Sequence, residues 1–351
     1  MNYHYANEAI VDTAGVVAEV LSEYGLAARL EVQRYLASGR QAPYLDDLVA
    51  DYPRRGGKMM RPCICIANAG AFGGRLIDSV RSAAAIEILH NGLLVHDDIQ
   101  DESELRRGQP TLHMLHGVPL AINAGDALML LAMRPLFDNL RSLGADVAER
   151  ILDVTQAMAR ETAEGQALEL GWRDGRATLV TEADYLTMVL KKTAWLATIW
   201  PAQIGLLIGS RGEADPESVV RFGFFLGAAF QIEDDLRNLT ADQAYGKELN
   251  GDLFEAKRTL MLIHARRTCG SADRRTLDEF LALRRGDRTA EMVRWVADLM
   301  QRQGSLDHAR TMAAAMAGAA QHEFTLAYGH LPPSRDKTFI AGLVPWVFVR
   351  P

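Results

Sequence analysis

Apolar residues recur at spacings of three and four along most of this 351-residue chain, and the strict alternation of a half-buried strand is nearly absent. Stripes of that period can be buried only by packing helix on helix. The pattern predicts helices at roughly 7–38, 58–70, 76–103, 119–141, 145–171, 181–209, 215–239, 252–268, 274–284, 288–302 and 306–328. Glycine and proline punctuate them: Pro53, Gly73-Gly74, Gly108 to Pro110, Gly117 to Pro119, Gly144, Asp174-Gly175, Gly212 to Pro216, Gly246 to Gly251 and Pro332-Pro333. Thr181 stands where an N-cap is needed, and Pro216 where a first helical residue is. No linker or low-complexity tract divides the chain, so the expectation is one all-α domain over 1–351.

A 48% hydrophobic content is enough for a sizeable core. The net charge of −7 argues against a general nucleic-acid binder, which needs a basic footprint. Cys63, Cys65 and Cys269 have neither zinc-site spacing nor a disulfide framework and read as buried thiols of a reducing compartment. The N-terminus lacks the charged and apolar regions of a signal peptide, and no apolar run of spanning length is free of charge. The expectation is therefore a cytoplasmic protein with no transmembrane segment.

Two acidic clusters carry the chemistry. The first is His96-Asp97-Asp98-Ile99-Gln100-Asp101, followed closely by Arg106 and Arg107. On a helix Asp97 and Asp101 share a face, about 6 Å apart along the axis. Alone, such a string reads equally as a solvated acidic helix end. The apolar run Ala83 to Val95 before it puts the carboxylates at the mouth of something greasy. The second cluster is Gln231-Ile232-Glu233-Asp234-Asp235-Leu236-Arg237-Asn238. Two acidic faces turned toward each other would hold hard divalent cations, as Mg²⁺ prefers oxygen donors. Arginine suits bidentate phosphate binding. Metals and arginines beside an apolar cavity describe a site for an amphiphile with a diphosphate head.

Other elements take meaning from that pairing. Gly56-Gly57-Lys58-Met59-Met60-Arg61 places two cations one turn apart after a flexible entry, as a phosphate cradle or as an ordinary loop-to-helix junction. Lys191 and Lys192 lie in an apolar helix, so at least one should meet an acid or a phosphate. Lys247 and Lys257 flank Gly251-Asp252-Leu253 and read either as solubility or as phosphate contacts. His90 and His96 are core residues or supports of the first cluster. Gln166 and Glu169 offer a second polar point. Trp172, Trp195 and Trp200, with Met129, Met133 and Met188, read first as core.

Together these stretches resemble the trans-type, head-to-tail isoprenyl diphosphate synthases of the polyprenyl synthetase family. The likeness runs from Gly56 to Lys257. It rests on Gly-Gly-Lys-x-x-Arg-Pro at 56–62, Asp-Asp-x-x-Asp at 97–101 with Leu-Arg-Arg-Gly at 105–108, and Gly-Gln at 165–166. Lys-Thr at 192–193, Phe-Gln-Ile-x-Asp-Asp at 230–235 and Lys-x-x-x-Gly-Asp-Leu-x-x-x-Lys at 247–257 complete it. The resemblance implies an all-α fold around a deep central cavity, usually as a homodimer. It implies three Mg²⁺ ions on Asp97, Asp98, Asp101 and Asp234, with Asp235 and Asn238 less direct. Arg106, Lys192 and Lys257 would hold an allylic diphosphate, and Lys247 would be a further substrate-binding residue. Lys58, Arg61, His90 and Arg107 would hold isopentenyl diphosphate, and Thr193 and Gln231 would sit near the developing cation. The chain departs from the family pattern at Met59, where a basic residue is frequent, and at Asn238, where a third Asp is.

The implied reaction is ionisation, condensation and elimination. The new chain would run down the helix that carries Asp97. Gly92 and Leu93 lie one turn away from Asp97, where farnesyl-forming relatives carry an aromatic stop. With neither aromatic, the tail is expected to pass Gly92 toward Leu89 and Ile86, with Met129 or Met133 as floor, giving a C20 product. The rival readings are a class I terpene cyclase, a non-catalytic subunit of a heteromeric synthase, and prenyl transfer to another acceptor.

Overall fold

The computed structural model describes residues 4–37, 42–174, 179–240 and 250–349. Its regular structure is helical except for a two-residue hairpin, β1 (Leu105–Arg106) paired antiparallel with β2 (Gln109–Pro110). The first half runs α1 (His4–Leu36), α2 (Asp46–Arg54), α3 (Met60–Ala71), α4 (Leu76–Gln100), α5 (Leu112–His116), α6 (Val118–Leu131), α7 (Met133–Ser142) and α8 (Ala145–Arg173). The second half begins with α9 (Glu182–Met188), a π-helical run Val189–Ile199, α10 (Trp200–Gly209), a 3₁₀ turn Pro216–Val219 and α11 (Val220–Thr240). It continues with α12 (Gly251–Phe254), α13 (Leu260–Thr268), α14 (Ser271–Ala282), a 3₁₀ turn Arg285–Asp287, α15 (Ala290–Arg302), α16 (Ser305–Tyr328) and α17 (Arg335–Val349).

The all-α expectation holds. Thr181 caps α9 in a capping box with Asp184, and Asp215 caps the turn that Pro216 opens. Patterning missed α17, which follows Pro332-Pro333 and carries Pro345 inside it. It also missed α2, whose Pro53 falls in its last turn, and it ran α6 and α7 together. The stretch Val118–Ser142 has the length and mean hydropathy, 1.3, of a membrane span but carries Asp126, Arg134, Asp138 and Arg141, in line with the expectation that no such run is free of charge. The chain turns at Ala132 within that stretch, and part of its surface is buried in the protein.

α4 is enclosed by α1, α3, α6 and α7, while α8, the π-helical run and α11 pack side by side across from it. Glycines set how closely these helices approach. A Cβ on Gly165 of α8 would lie 2.2 Å from the Lys192 backbone nitrogen. A Cβ on Gly227 of α11 would lie 2.7 Å from the Ala194 methyl, and one on Gly223 2.8 Å from Ile199. The backbone carrying Lys192 and Thr193 is thus pressed between two helices that could not close on it with any larger residue. A π-helical run widens the turn there, and such runs gather at functional sites.

Gly165→Ala is expected to destabilise the protein by more than the usual overpacking cost of about 1–3 kcal/mol, because the clash is with backbone. Gly171→Ala on the same helix, where a Cβ meets nothing within 4 Å, should be neutral or stabilise by up to about 1 kcal/mol. Paired thermal unfolding curves check this; equal Tm values for the two variants would refute the close approach.

Candidate active site

The space between α4, α8, the π-helical run and α11 is a cavity of about 530 Å³. Its deeper wall is Leu89, Leu93 and Leu94 from α4, Met158, Ala159 and Ala163 from α8, Leu196 from the π-helical run, Met129 from α6 and Phe230 from α11. Its mouth is polar: Asp97, Gln100 and Arg106 on one side, Asp234, Asp235 and Asn238 on the other, and Gln166, Glu169, Lys192, Asp252 and Lys257 between. The two acidic clusters do face each other across an apolar hole.

The mouth is bound together by ion pairs. Lys192 donates to Asp97 at 3.3 Å and to Glu169, while Gln166 donates to Asp97 at 3.4 Å and to Gln100 at 2.6 Å. Burial works against the Asp97 charge, yet Lys192, Lys257 and Arg106 together hold its carboxyl well below the ordinary carboxylate range. Asp101 pairs with Arg173 and, at 3.0 Å, with Lys257. Lys257 also meets Glu255 at 2.7 Å and Asp252 at 3.4 Å. Lys191, by contrast, points away from the cavity to Glu161 and Glu164, both at 2.7 Å.

The second aspartate of each cluster is clamped. Asp98, 0% exposed, accepts from the Tyr52 hydroxyl at 2.6 Å and from Arg106 on both oxygens. Asp235 accepts from the Tyr185 hydroxyl at 2.8 Å and from the Gln231 amide at 2.7 Å. Its partners are neutral, and burial, with Asp252 and Asp234 nearby, pushes its carboxyl up to about 8. Asn238 accepts from the Asp252 backbone N–H at 3.2 Å, which ties α11 to α12 and hence to the Lys257 loop.

Beside the mouth lies a second basic group. Arg61 Nε and His90 Nδ1 are buried polar nitrogens without a hydrogen-bond partner, and both residues line the cavity. Burial pushes the Arg61 guanidinium down to about 10, and burial with Arg61, Arg107 and Arg106 nearby keeps His90 neutral. Arg107 adopts a left-handed backbone (φ 56°), donates to the Tyr52 carbonyl at 2.8 Å, and lies across Gly57, where a Cβ would sit 3.0 Å from its Nη2. Glu87 is the buried carboxylate among these cations. Desolvated, underpaired guanidinium beside a cavity is what a second anionic group would satisfy.

Comparison with known proteins fits this geometry. A sequence model described as polyprenyl synthetase matches residues 42–300. The chain belongs to the polyprenyl synthetase family. A geranylgeranyl diphosphate synthase of Sulfolobus acidocaldarius is 36% identical over 259 residues, covering 74% of this chain and 77% of that one. Among solved structures, a geranylgeranyl pyrophosphate synthetase from Pyrococcus horikoshii Ot3 superposes with a TM-score of 0.82 at 29% identity, covering 96% of this chain and 99% of that one. A polyprenyl synthase from Caulobacter crescentus CB15, complexed with calcium and isoprenyl diphosphate, does so at 0.80 and 26%, covering 95% and 97%. Family members are prenyltransferases that act on isoprenyl diphosphates and depend on Mg²⁺. The donor set here fits such an ion: the mouth offers carboxylate and amide oxygens and no thiol. Among the described residues no three acidic, His or Cys side chains converge into a protein-only metal site. Mg²⁺ is usually held by one or two carboxylates with substrate phosphate and water.

Several sequence expectations change. Asp98 does not line the cavity; with both oxygens taken by Tyr52 and Arg106, it is a buried strut where a metal ligand was expected. Gly92 is not an opening in the channel wall. A Cβ there would meet Gly125 O at 3.0 Å and Leu128 and Met129 at 3.1 Å, so this glycine lets α4 and α6 touch. Leu89 and Leu93 do line the cavity, and so does Met129, whereas Met133 does not. Met59 is buried against Gly25 with φ 52°, so it serves the core. Lys58 is exposed, its ammonium 5.8 Å from the Trp346 ring centroid, and is not part of the cavity wall. Lys247 lies outside the described residues. Sequence reasoning missed Tyr52, Tyr185 and Arg173, whose relevance depends on partners far away in the chain. A two-residue step from Trp172 to Asp174 gave Arg173 no distinguishing signal.

Asp98→Asn keeps the shape but leaves the Arg106 charge buried against a neutral group. Breaking such a pair costs on the order of 3–5 kcal/mol. The variant is expected to unfold at a clearly lower temperature, and an unchanged Tm with only activity lost would show that Asp98 acts as a ligand after all.

Proposed function

We propose that this protein condenses isopentenyl diphosphate with an allylic diphosphate, head to tail, to give a longer all-trans prenyl diphosphate of C20 and free diphosphate. The observation that carries the reading is the facing pair of acidic clusters, interleaved with Lys192, Lys257 and Arg106, at the mouth of an apolar cavity. Bound Mg²⁺, three ions in this reading, would neutralise charge building on the departing diphosphate. Asp97, Asp101 and Asp234 would hold them together with diphosphate oxygens, with Asp235 and Asn238 less direct. Lys192 and Lys257, paired here with Asp97 and Asp101, would face the allylic diphosphate once those carboxylates held the ions, with Arg106 beside them on Asp98. Arg61, with Arg107 and neutral His90, would hold isopentenyl diphosphate so that its double bond faces the allylic C1. The dry wall of leucine, methionine and alanine excludes water that would quench the cation. The diphosphate that leaves is the base for the final proton, since His90 is hemmed in by arginines and disfavours a second charge.

The C20 reading rests on the wall and on relatives named for that product. No aromatic residue stands at Leu93 or Leu89 to stop a tail one or two turns below Asp97. Leu93→Phe, which fills the cavity without touching the α4–α6 contact, should shift product toward C15, while Gly92→Phe should damage folding. Incubation with Mg²⁺, isopentenyl diphosphate and C5, C10 or C15 primers, followed by sizing of the dephosphorylated alcohols, tests both steps. No chain extension with any primer refutes the function, and full-length product from Leu93→Phe refutes the path of the tail.

The chain is read as one domain and as half of a homodimer. Supporting the latter is an apolar face on α5 to α7, where Met114, Leu115, Leu130, Phe137 and Leu140 are each 46–74% exposed. A patch of that kind on a monomer calls for a partner surface. Leu130→Glu is expected to lower the mass seen in sedimentation to that of one chain; a parent that is already monomeric would overturn the dimer.

A further inference from the structure

The two clamped aspartates are matched in position but not in chemistry. Asp98 is gripped by Tyr52 and a cation, Arg106, which also faces Asp97 at 3.7 Å. Asp235 is gripped by Tyr185 and an amide, and its grip continues. Tyr185 donates to one Asp235 oxygen at 2.8 Å, and Gln231 Nε2 donates to the other at 2.7 Å. At the far end of the same amide, Gln231 Oε1 accepts from the Thr193 hydroxyl at 2.9 Å. The order of donors in this relay follows from its contacts. Both Asp235 oxygens accept, one from the Tyr185 hydroxyl and one from the NH₂ end of the Gln231 amide. The carbonyl end must then turn to Thr193, whose proton is drawn toward that oxygen. Thr193 and Gln231 both line the cavity, beside Phe230 and Leu196. Two oxygen dipoles are therefore set with their negative ends together at the edge of an apolar space.

We propose that Tyr185 and Asp235 are positioning residues that fix the Gln231 amide with its oxygen, not its nitrogen, available to the allylic cation as the C1–O bond ionises. This deepens the prenyl-transfer reading and rests on it. An amide free to rotate would present N–H groups to a positive centre as readily as oxygen, so catalysis here depends on a dipole held in place before charge develops. Tyr185 lines the cavity at 1% exposure with its hydroxyl engaged by Asp235, so its effect passes through that carboxyl.

The test is a double-mutant cycle on the full-length protein with Mg²⁺, isopentenyl diphosphate and an allylic primer. Tyr185→Phe should lower kcat by about 10- to 100-fold, the range found when outer partners of a site are removed, with KM for both diphosphates unchanged. In a Gln231→Leu background the same change should have little further effect, because the group it orients is gone. Tyr52→Phe, whose aspartate pairs with Arg106 and not with an amide, should lower activity by the same factor in both backgrounds. An unaltered kcat in Tyr185→Phe, a raised KM in place of a lowered kcat, or an equal loss with and without Gln231 would each overturn the proposal. If Tyr185→Phe does not fold, Asp235→Asn takes its place in the same cycle under the same criteria, and a loss restored by excess Mg²⁺ would also overturn the proposal. Absence of condensation by the parent protein would instead refute the prenyl-transfer reading itself, so the two failures are told apart.

Discussion

Buried charge must be paired, and in this protein the pairing of charges at the cavity mouth binds the architecture together. Asp97 meets Lys192, Asp98 meets Arg106, and Asp101 meets Arg173 and Lys257. These three aspartates belong to the end of one helix, yet their partners come from the π-helical run, the hairpin, α8 and the loop after α12. Each pair offsets a desolvation cost of several kcal/mol per ion. Their geometry therefore decides where four otherwise separate elements end up.

In the proposed reading the same lattice is the resting form of a binding site. Its acids are the groups a hard cation would use, and its bases are those a diphosphate would use. Holding them against each other keeps the mouth neutral and ordered without ligand. The Arg61 and His90 group is organised differently. It holds Arg61 Nε and His90 Nδ1 buried without a hydrogen-bond partner, at the cost of desolvation, and a single anion would satisfy it.

Below the mouth the logic changes from charge to volume. Gly165, Gly223 and Gly227 allow the helix that carries Lys192 and Thr193 to sit deep between its neighbours. Gly92 and Gly125 do the same between α4 and α6, with His96 occupying the space beside Gly125. What remains is a cavity walled by leucine, methionine and alanine. Its shape follows from which positions are glycine at helix crossings and which are side chains facing inward.

The all-helical fold, the two acidic clusters and the basic groups were legible in the sequence because each is local. A period of three and four, a four-residue step between aspartates and a glycine pair before a basic turn are all written within one or two helical turns. The direction of a side chain around its helix was not. Asp97 and Asp98 are neighbours in sequence, but about 100° of helical rotation separates them. Only the packing of α2 and the hairpin shows that one faces the cavity and the other faces Tyr52. Gly92 and Leu93 divide in the same way, one into a helix contact and one into the channel. Chain order carries the kinds of groups and their spacing along a helix. Which face meets solvent, ligand or another helix depends on contacts between residues tens or hundreds of positions apart, and only the tertiary structure brings those together.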